Sequence, residues 1–282
     1  NTQMFENPIT QDNLAILRKY NMEVIEPAVG LLACRDVGAG KMPECDVLLD
    51  YILKAIALPK DLFGKKVLIT AGATREAIDP VRYITNHSTG KMGYALAKMA
   101  CLRGADVTLV SGLTSIKPFR FAKVISVESA NDMFEAVKEA ASNMDIIIKA
   151  AAVADYRPTY IANEKVKKKD EEMSISLERT TDILKYLGEN RREGQYLCGF
   201  SMETENMLEN SKMKLDKKKI DMIVANNLKV SGAGFGVDTN IVTVITRNDI
   251  TEFPLLSKEA VALKLLDKIQ EEINTTSKGE QK

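Results

Sequence analysis

The chain has 282 residues, 45% of them hydrophobic, and 39 basic residues balance 39 acidic ones for a formal net charge of +0. That length suits one large domain or two ordinary ones, with enough apolar side chains for a real core. Balanced charge gives no global reason to expect nucleic acid or a membrane surface as partner, so local basic clusters carry the more meaning.

The chain opens on "NTQMFENPITQDN", without a Met, and this reads as the interior of a longer protein. No signal peptide is recognisable, and no apolar run approaches the roughly 20 residues that span a bilayer. Helical spacing predicts a helix over 13–22. "GLLACRDVGAGKMPE" reads as a glycine-broken loop, and "CDVLLDYILKAIAL", 45–58, as an amphipathic helix. "PKDLFGKK", 59–66, combines Pro, Gly and charge and is the expected linker.

Beyond it, strands alternate with helices. Strands are predicted at 66–72, 106–112, 123–127 and 145–153, and helices at 88–105 and 130–144. This alternation signals a parallel sheet covered on both faces. The second half continues with a short strand in "SISLERT", a helix in "DILKYLGENR", a strand in "YLCGF", a helix in "NMLENSKMKLDKKK" and a strand in "DMIVANN". "GAGFGVDTNIVTVIT" and "DITEFPLL" are predicted to pair as a hairpin. A helix closes the fold from Ser257, its expected N-cap, to Ile273, and 274–282 is expected to be a disordered tail. The four cysteines, Cys34, Cys45, Cys101 and Cys198, form no C-x-x-C pair, and His87 is the only histidine. A zinc site is therefore not expected, and a reducing cytoplasm is.

"TNHSTGKMG", 85–93, follows the first strand of the β/α region and opens a helix. Ligands of parallel sheets bind at the carboxyl ends of strands. Helix N-terminal amides attract anions. The spacing matches neither the G-x-G-x-x-G dinucleotide fingerprint nor a P-loop. On pattern alone, a phosphate cradle and a capped helix with Gly93 packed close are equally good readings.

The longer stretch "ITAGATREAIDPVRYITNHSTGKMGYALA" resembles the signature of bacterial phosphopantothenoylcysteine synthetase, the second activity of the bifunctional coenzyme A biosynthesis protein. The resemblance recurs at "KAAAVADYRP", "EKVKKK", "CGFSMET", "KLDKKKIDMIVANN" and "GFGVDTNIVTVI", and covers about 64–273. It implies a Rossmann-like parallel sheet with helices on both faces and a β-hairpin. It also implies a ligase that joins 4′-phosphopantothenate to L-cysteine. CTP, with Mg²⁺, would activate the carboxylate as an acyl-cytidylate and release pyrophosphate, and cysteine would then displace CMP. A homodimer paired near the hairpin is implied, with no nucleic-acid or membrane partner.

By the same resemblance, Asn86 holds the activated acyl group, Lys165 neutralises charge at the α-phosphate, and Arg82 binds phosphate or anchors its loop. The nucleotide would meet Gly72, Ser88, Gly90, Ala151, Ala152, Asp155, Lys165, Phe200, Lys214 and Lys218. Lys167, Lys168 and Lys169 extend the basic run after Lys165. Lys214 and Lys218 share a helix face, where like charges repel unless an anion lies between them. The turn with Gly236, Asp238 and Asn240 receives only a structural role.

Residues 1–58 resemble the C-terminal end of the flavin mononucleotide-dependent decarboxylase partner, a short helical remnant of a flavoprotein domain. Cys34 stands at that family's proton-donor cysteine, although Arg35 replaces the usual glycine after it. FMN and decarboxylation are expected only in a full-length parent. The competing reading for 67–273 is a nicotinamide dinucleotide-binding module, which the missing fingerprint and the lysine clusters disfavour.

Overall fold

The computed structural model describes residues 1–32, 35, 37–167, 173–202, 207–226, 234 and 236–279, with all side chains among these except those of 207–211 and 276–279. It divides into two compact units, Asn1–Pro59 and Lys60–Lys282.

The first unit contains α1 (Thr2–Glu6), α2 (Pro8–Lys19), β1 (Ala28–Leu31), β2 (Val37–Lys41) and α3 (Cys45–Ile56). Asn7 caps α2 by accepting the Ile9 N–H at 3.0 Å, and Pro8 fills the first helical turn, where its missing N–H costs nothing. β1 and β2 form an antiparallel hairpin where a loop was expected. The glycines misled the sequence reading. At Gly40, φ is +129°, and a Cβ there would stand 3.0 Å from the Asn1 nitrogen, so this glycine permits a close approach and does not break the strand. None of the described residues of this unit is buried. Cys34 lies outside the described residues.

In the second unit the chain runs β3 (Lys66–Ala71), β4 (Arg75–Ala77), β5 (Tyr83–Thr85), α4 (Lys91–Leu102), β6 (Asp106–Ser111), β7 (Lys123–Ser126), α5 (Ala130–Ala141), β8 (Ile146–Lys149), β9 (Tyr156–Pro158), β10 (Leu177–Arg179), α6 (Ile183–Glu189), β11 (Tyr196–Met202), α7 (Met207–Lys218), β12 (Met222–Asn226), β13 (Thr239–Thr246), β14 (Ile250–Ser257) and α8 (Lys258–Gly279). Among the described residues, eight strands form one sheet in the order β14-β13-β12-β11-β8-β3-β6-β7. From β12 to β7 it is parallel, and β13 and β14 add the antiparallel hairpin. The order reverses beside β3: the next strands, β6 and β7, build outward on one side, and the chain then returns to lay β8 on the other. The crevice above the carboxyl ends of β3 and β8 is therefore the topological switch point, where open sheets bind ligands.

Alternation along β3 assigns the helices to faces. Leu68 joins the core with Met133 and Val137 of α5, Leu184 and Leu187 of α6 and Leu215 of α7. Ala71 faces the other way, against Gly93 of α4. α8 lies beside α4, tied by Lys98–Glu259 at 2.7 Å. Ser129 starts α5 with a capping box closed by Asp132, and Ser257 starts α8 by accepting the Ala260 N–H at 3.2 Å.

Three features depart from the sequence expectations. The stretch between β3 and α4 holds the antiparallel ribbon β4–β5. The strand in "SISLERT" leaves the main sheet and pairs with β9. Helix α8 continues to Gly279, past the expected end at Ile273: no glycine or proline interrupts it before Gly279, and Thr275 satisfies its hydroxyl on the Glu271 carbonyl at 2.8 Å. Within 59–66, residues from Lys60 onward belong to the second unit. Leu62 is buried, and Asp61 pairs with the buried Arg103, which also bonds Asp267 and Gln270 of α8.

Gly93 gives a stability prediction. A Cβ there would sit 2.5 Å from the Ala71 Cβ and 2.9 Å from the Thr70 carbonyl oxygen. Gly93→Ala should destabilise the second unit by about 1–3 kcal/mol. Urea unfolding should show a lower midpoint at unchanged slope.

Candidate functional site at the switch point

The end of β3 is built to bring backbones together. Gly72 has φ +80° and Gly90 has φ +82°, both left-handed. A Cβ on Gly90 would stand 3.2 Å from the Gly72 nitrogen, and one on Gly72 would stand 3.2 Å from the Gly112 carbonyl oxygen. A Cβ on Gly112 would collide with the Ala73 carbonyl oxygen. Three glycines therefore let the loops after β3 and β6 and the start of α4 share one small space. Gly90 is the N-cap of α4, with no side-chain cap, so the first-turn amides of the helix stay available. Ser88 leans in, its Oγ 3.4 Å from the Gly90 nitrogen.

The loop after β8 closes the other side of the crevice. The Ala152 N–H donates to the Gly72 carbonyl at 2.9 Å, and the Asn86 side-chain amide donates to the Ala152 carbonyl at 3.1 Å. Buried threonines fix this loop from below: Thr70 accepts the Ala151 N–H at 3.1 Å and Thr74 the Ala154 N–H at 3.0 Å. Gly72, Ser88, Gly90, Asn86, Ala151 and Ala152 thus meet within one crevice. His87, between two of them, is exposed.

Arg82 is engaged elsewhere. Its guanidinium holds Asp79 (Nε–Oδ2 3.0 Å) and the Val166 carbonyl (2.9 Å), and Asp79 accepts the backbone N–H groups of Val81, Arg82 and Val166. This buried aspartate and its arginine clasp the segment carrying Lys165, which is itself exposed. The loop-anchoring alternative for Arg82 is the one its geometry displays. Lys168 and Lys169 lie outside the described residues.

The remaining candidates divide between the two faces of the sheet. Phe200 lines a pocket with Ser88, Gly90, Lys91, Gly93, Ala150, Asn226, Asn240 and Lys258, on the side of α4. Lys214 and Lys218 lie on α7, across the sheet, where Lys218 pairs with Asp182 at 3.0 Å. Asp155 sits exposed at the crest, where its carbonyl accepts the Thr180 N–H at 3.0 Å. Only a ligand lying over the carboxyl edge of β8 and β11 can touch both groups.

Sequence reasoning missed several participants. Asp79 was signalled by "IDPVR", an Asx-turn composition. The turn given a structural role closes over the pocket. Lys91 binds Asp238 at 2.7 Å and the Gly236 carbonyl at 3.0 Å, buried Asn240 donates to Asn226 at 3.0 Å, and buried Lys258 holds the Gly234 carbonyl at 3.0 Å. Nothing local in the sequence identifies those partners. Among the described residues, no group of three or more His, Cys, Asp or Glu side chains is arranged to hold a metal ion, and no helix is long and apolar enough to cross a membrane.

An open, mostly parallel sheet with a glycine cradle and a helix N-terminus at its switch point defines a Rossmann-like α/β protein. Residues 62–273 match the family model described as the DNA/pantothenate metabolism flavoprotein C-terminal domain, and residues 1–57 match the flavoprotein model. The coenzyme A biosynthesis bifunctional protein CoaBC of Bacillus subtilis (strain 168) is 46% identical over 273 residues, spanning 95% of this chain and 67% of that protein. A cysteine/cysteine sulfinic acid decarboxylase from an unknown prokaryotic organism is 43% identical over 272 residues, spanning 94% of this chain and 76% of that protein. The crystal structure of the C-terminal domain of a CoaBC protein is 46% identical, with a TM-score of 0.65, and covers 76% of this chain and 98% of that one. The chain belongs to the family of bifunctional coenzyme A biosynthesis proteins.

The Asp79 clasp makes a pH prediction. The Arg82 guanidinium, followed by the Val81, Val166 and Arg82 amides, holds the Asp79 carboxyl well below the usual carboxylate range. A lowered folded-state value stabilises above the ordinary pKa of about 3.9, and that contribution is lost as pH falls below it. At pH 7, Asp79→Asn should speed hydrogen exchange in 162–167 relative to the unaltered chain. The difference, followed by mass spectrometry, should begin to narrow as pH drops below about 4 and close only as pH approaches the much lower folded-state value.

Proposed function

We propose that the second unit is a phosphopantothenate–cysteine ligase of coenzyme A biosynthesis, using CTP through an acyl-cytidylate. The observation that carries this reading is the Asn86 amide seated on the Ala152 carbonyl, beside the Gly72–Gly90 cradle. A neutral donor beside uncapped helix amides supports an acyl group at the one and phosphate at the other. The family relationship supports the same substrates. The relative named as a cysteine/cysteine sulfinic acid decarboxylase shows that similarity of this order does not fix the activity, so the weight rests on the site.

The residues divide the work by where charge appears. Amides of the α4 N-terminus and lysines attract the triphosphate. Mg²⁺ would enter with the nucleotide, since this ion is ordinarily held by substrate phosphates and one or two carboxylates. Lys165 neutralises charge as the carboxylate attacks the α-phosphate. Arg82 acts through the Asp79 clasp, setting the position of the Lys165 segment. Asn86 donates to the acyl oxygen as the cysteine amine adds and negative charge grows there. Phe200 flanks the base from the α4 side, and Asp155, Lys214 and Lys218 meet the ligand where it passes over the crest. The nicotinamide alternative gains nothing from this geometry. A homodimer through the β13–β14 hairpin belongs to the same proposal, supported by the edge position of β14 and the exposed Ile250 and Leu255. Light scattering at micromolar concentration should give twice the chain mass, and a monomer at saturating substrate would refute the pairing.

The direct test incubates the chain with 4′-phosphopantothenate, cysteine, Mg²⁺ and each nucleotide. CMP and pyrophosphate are the expected products; AMP with ATP alone would overturn the CTP assignment. CTP at 100 times its Kd should stabilise the chain by about 2.7 kcal/mol, and NAD should leave it unchanged. In rapid-quench experiments, Lys165→Gln should lower pyrophosphate release by on the order of 10²-fold. Asn86→Asp should let acyl-cytidylate accumulate, because only the second step needs the donor. Full activity in both variants would remove these residues from the site.

For the first unit we propose a share in an FMN-dependent decarboxylase of the longer parent, with Cys34 as proton donor. None of the described residues 1–32, 35 and 37–59 is buried, so they offer no enclosed, buried setting for a flavin by themselves. The 282-residue chain should purify without a flavin absorption band and without decarboxylase activity.

A further inference from the structure

Phe200 of β11 is level with Val224 of β12 and Val244 of β13, and Met202 is level with Asn226 and Val242. Register neighbours and residues two apart share a face. Asn226 therefore stands beside Met202, next to Phe200, on the floor of the α4-side pocket that all three line. Asn240 reaches the same floor from β13 and is buried. Beside it the β13–β14 register shifts. Asn240 pairs with Leu256 and Val242 with Phe253, so Ile241 stands against two residues, Pro254 and Leu255, and pairs with neither. Pro254 has no N–H for the ladder, and bulges of this kind re-aim side chains. The Ile241 N–H donates to Asn240 Oδ1 at 3.1 Å, and Asn240 Nδ2 donates to Asn226 Oδ1 at 3.0 Å.

These bonds run in one direction. A backbone N–H can only donate, so Asn240 turns its oxygen to Ile241 and its NH2 to Asn226. Asn226 must then meet it with oxygen. If Asn226 turned over, two NH2 groups would face each other and a buried donor would lose its acceptor. What Asn226 has left is its own NH2 group, which makes no hydrogen bond among the described residues. A side-chain amide can ordinarily present either end to a ligand. Here only the donor end is available.

Resting on the nucleotide reading above, we propose that Asn240 is a positioning residue. It locks Asn226 as a donor, so that the pocket takes a base with a bare ring nitrogen on its pairing edge and refuses one that carries a hydrogen there. Phe200 meets the face of the base, and Asn226 reads its edge. Cytosine N3 and adenine N1 accept a hydrogen bond, whereas uracil N3 and guanine N1 bear N–H and would set donor against donor. Cytosine and uracil both accept at O2, so a donor locked against rotation gains selectivity only at the ring nitrogen. A mismatch there leaves both groups unpaired, which is how a site built to hydrogen-bond its substrate rejects an analogue.

The test is calorimetric titration of the full chain at pH 8 with CTP, UTP, ATP, GTP and 3-deazacytidine triphosphate, in which C–H replaces N3. The unaltered chain should bind CTP roughly tenfold more tightly than UTP or the 3-deaza analogue. Asn240→Leu, which frees Asn226 to rotate, should bring both ratios within about threefold. Asn240→Asp, ionised at this pH, offers only acceptors. Asn226 must then turn its NH2 to the carboxylate and its oxygen to the pocket, and UTP should bind at least as well as CTP. In steady state, Asn240→Leu should raise KM for CTP and leave KM for cysteine unchanged. A merely structural role would weaken all nucleotides alike, and CTP/UTP ratios unchanged in both variants would overturn the inference. Equal affinity of the unaltered chain for CTP and its 3-deaza analogue would also overturn it, without any variant, and leave the CTP reading standing. A preference for ATP over GTP that is lost in Asn240→Leu, with no CTP binding, would sustain the inference and overturn the CTP reading. Failure of the unaltered chain to bind any of these nucleotides at millimolar concentration would overturn both.

Discussion

The second unit depends on three missing side chains. Gly72, Gly90 and Gly112 let the ends of β3 and β6 and the start of α4 come within backbone contact of one another. Without that approach, the α4 N-terminus could not open onto the crevice, and the loop after β8 would have no Gly72 carbonyl to hold Ala152. The left-handed conformations at Gly72 and Gly90 make substitution costly even where space could be found. The chain order supplies the rest: β6–β7 on one side of β3 and β8 on the other leave this spot as the place where loops diverge.

Around the cradle, polar groups fall into those that position and those left open. Thr70, Thr74 and Asp79 are buried and spent on backbone amides or on Arg82. Lys91 and Lys258 are likewise spent, pinning the turn before β13. Lys165 stays exposed, and among the described residues its segment is held through its neighbour Val166. This division is what a charge-handling site requires, because donors fixed in advance need no reorganisation when charge develops. It also explains why an arginine that resembles a phosphate ligand in sequence serves its own loop in space.

The two units differ in kind. The larger buries apolar side chains on both faces of its sheet, whereas no described residue of the smaller is buried. Helix caps at Asn1 and Asn7 and the β1–β2 hairpin shape the smaller unit locally. Secondary structure set by local signals, with apolar side chains only partly buried, gains little of the main stabilising term of folding.

By itself the sequence determined the alternating strands and helices, the C-terminal hairpin, the Ser257 cap and the glycine loop after the first long strand. Those signals are local: apolar periodicity, turn residues and caps act over a few neighbours. It also carried, by resemblance, the family and most of the candidate site. What it left open was whether "STGKMG" is a cradle or a packed helix start; in the structure Gly90 opens the helix against Gly72 and Gly93 packs on Ala71. Only the tertiary structure decided that Arg82 grips Asp79 and Val166 and that Phe200 and Lys214 lie on opposite faces. Each of those facts joins residues dozens of positions apart or turns on a strand's register. A shift of one residue exchanges the faces of a strand, and which face meets which helix is fixed only when the sheet is packed.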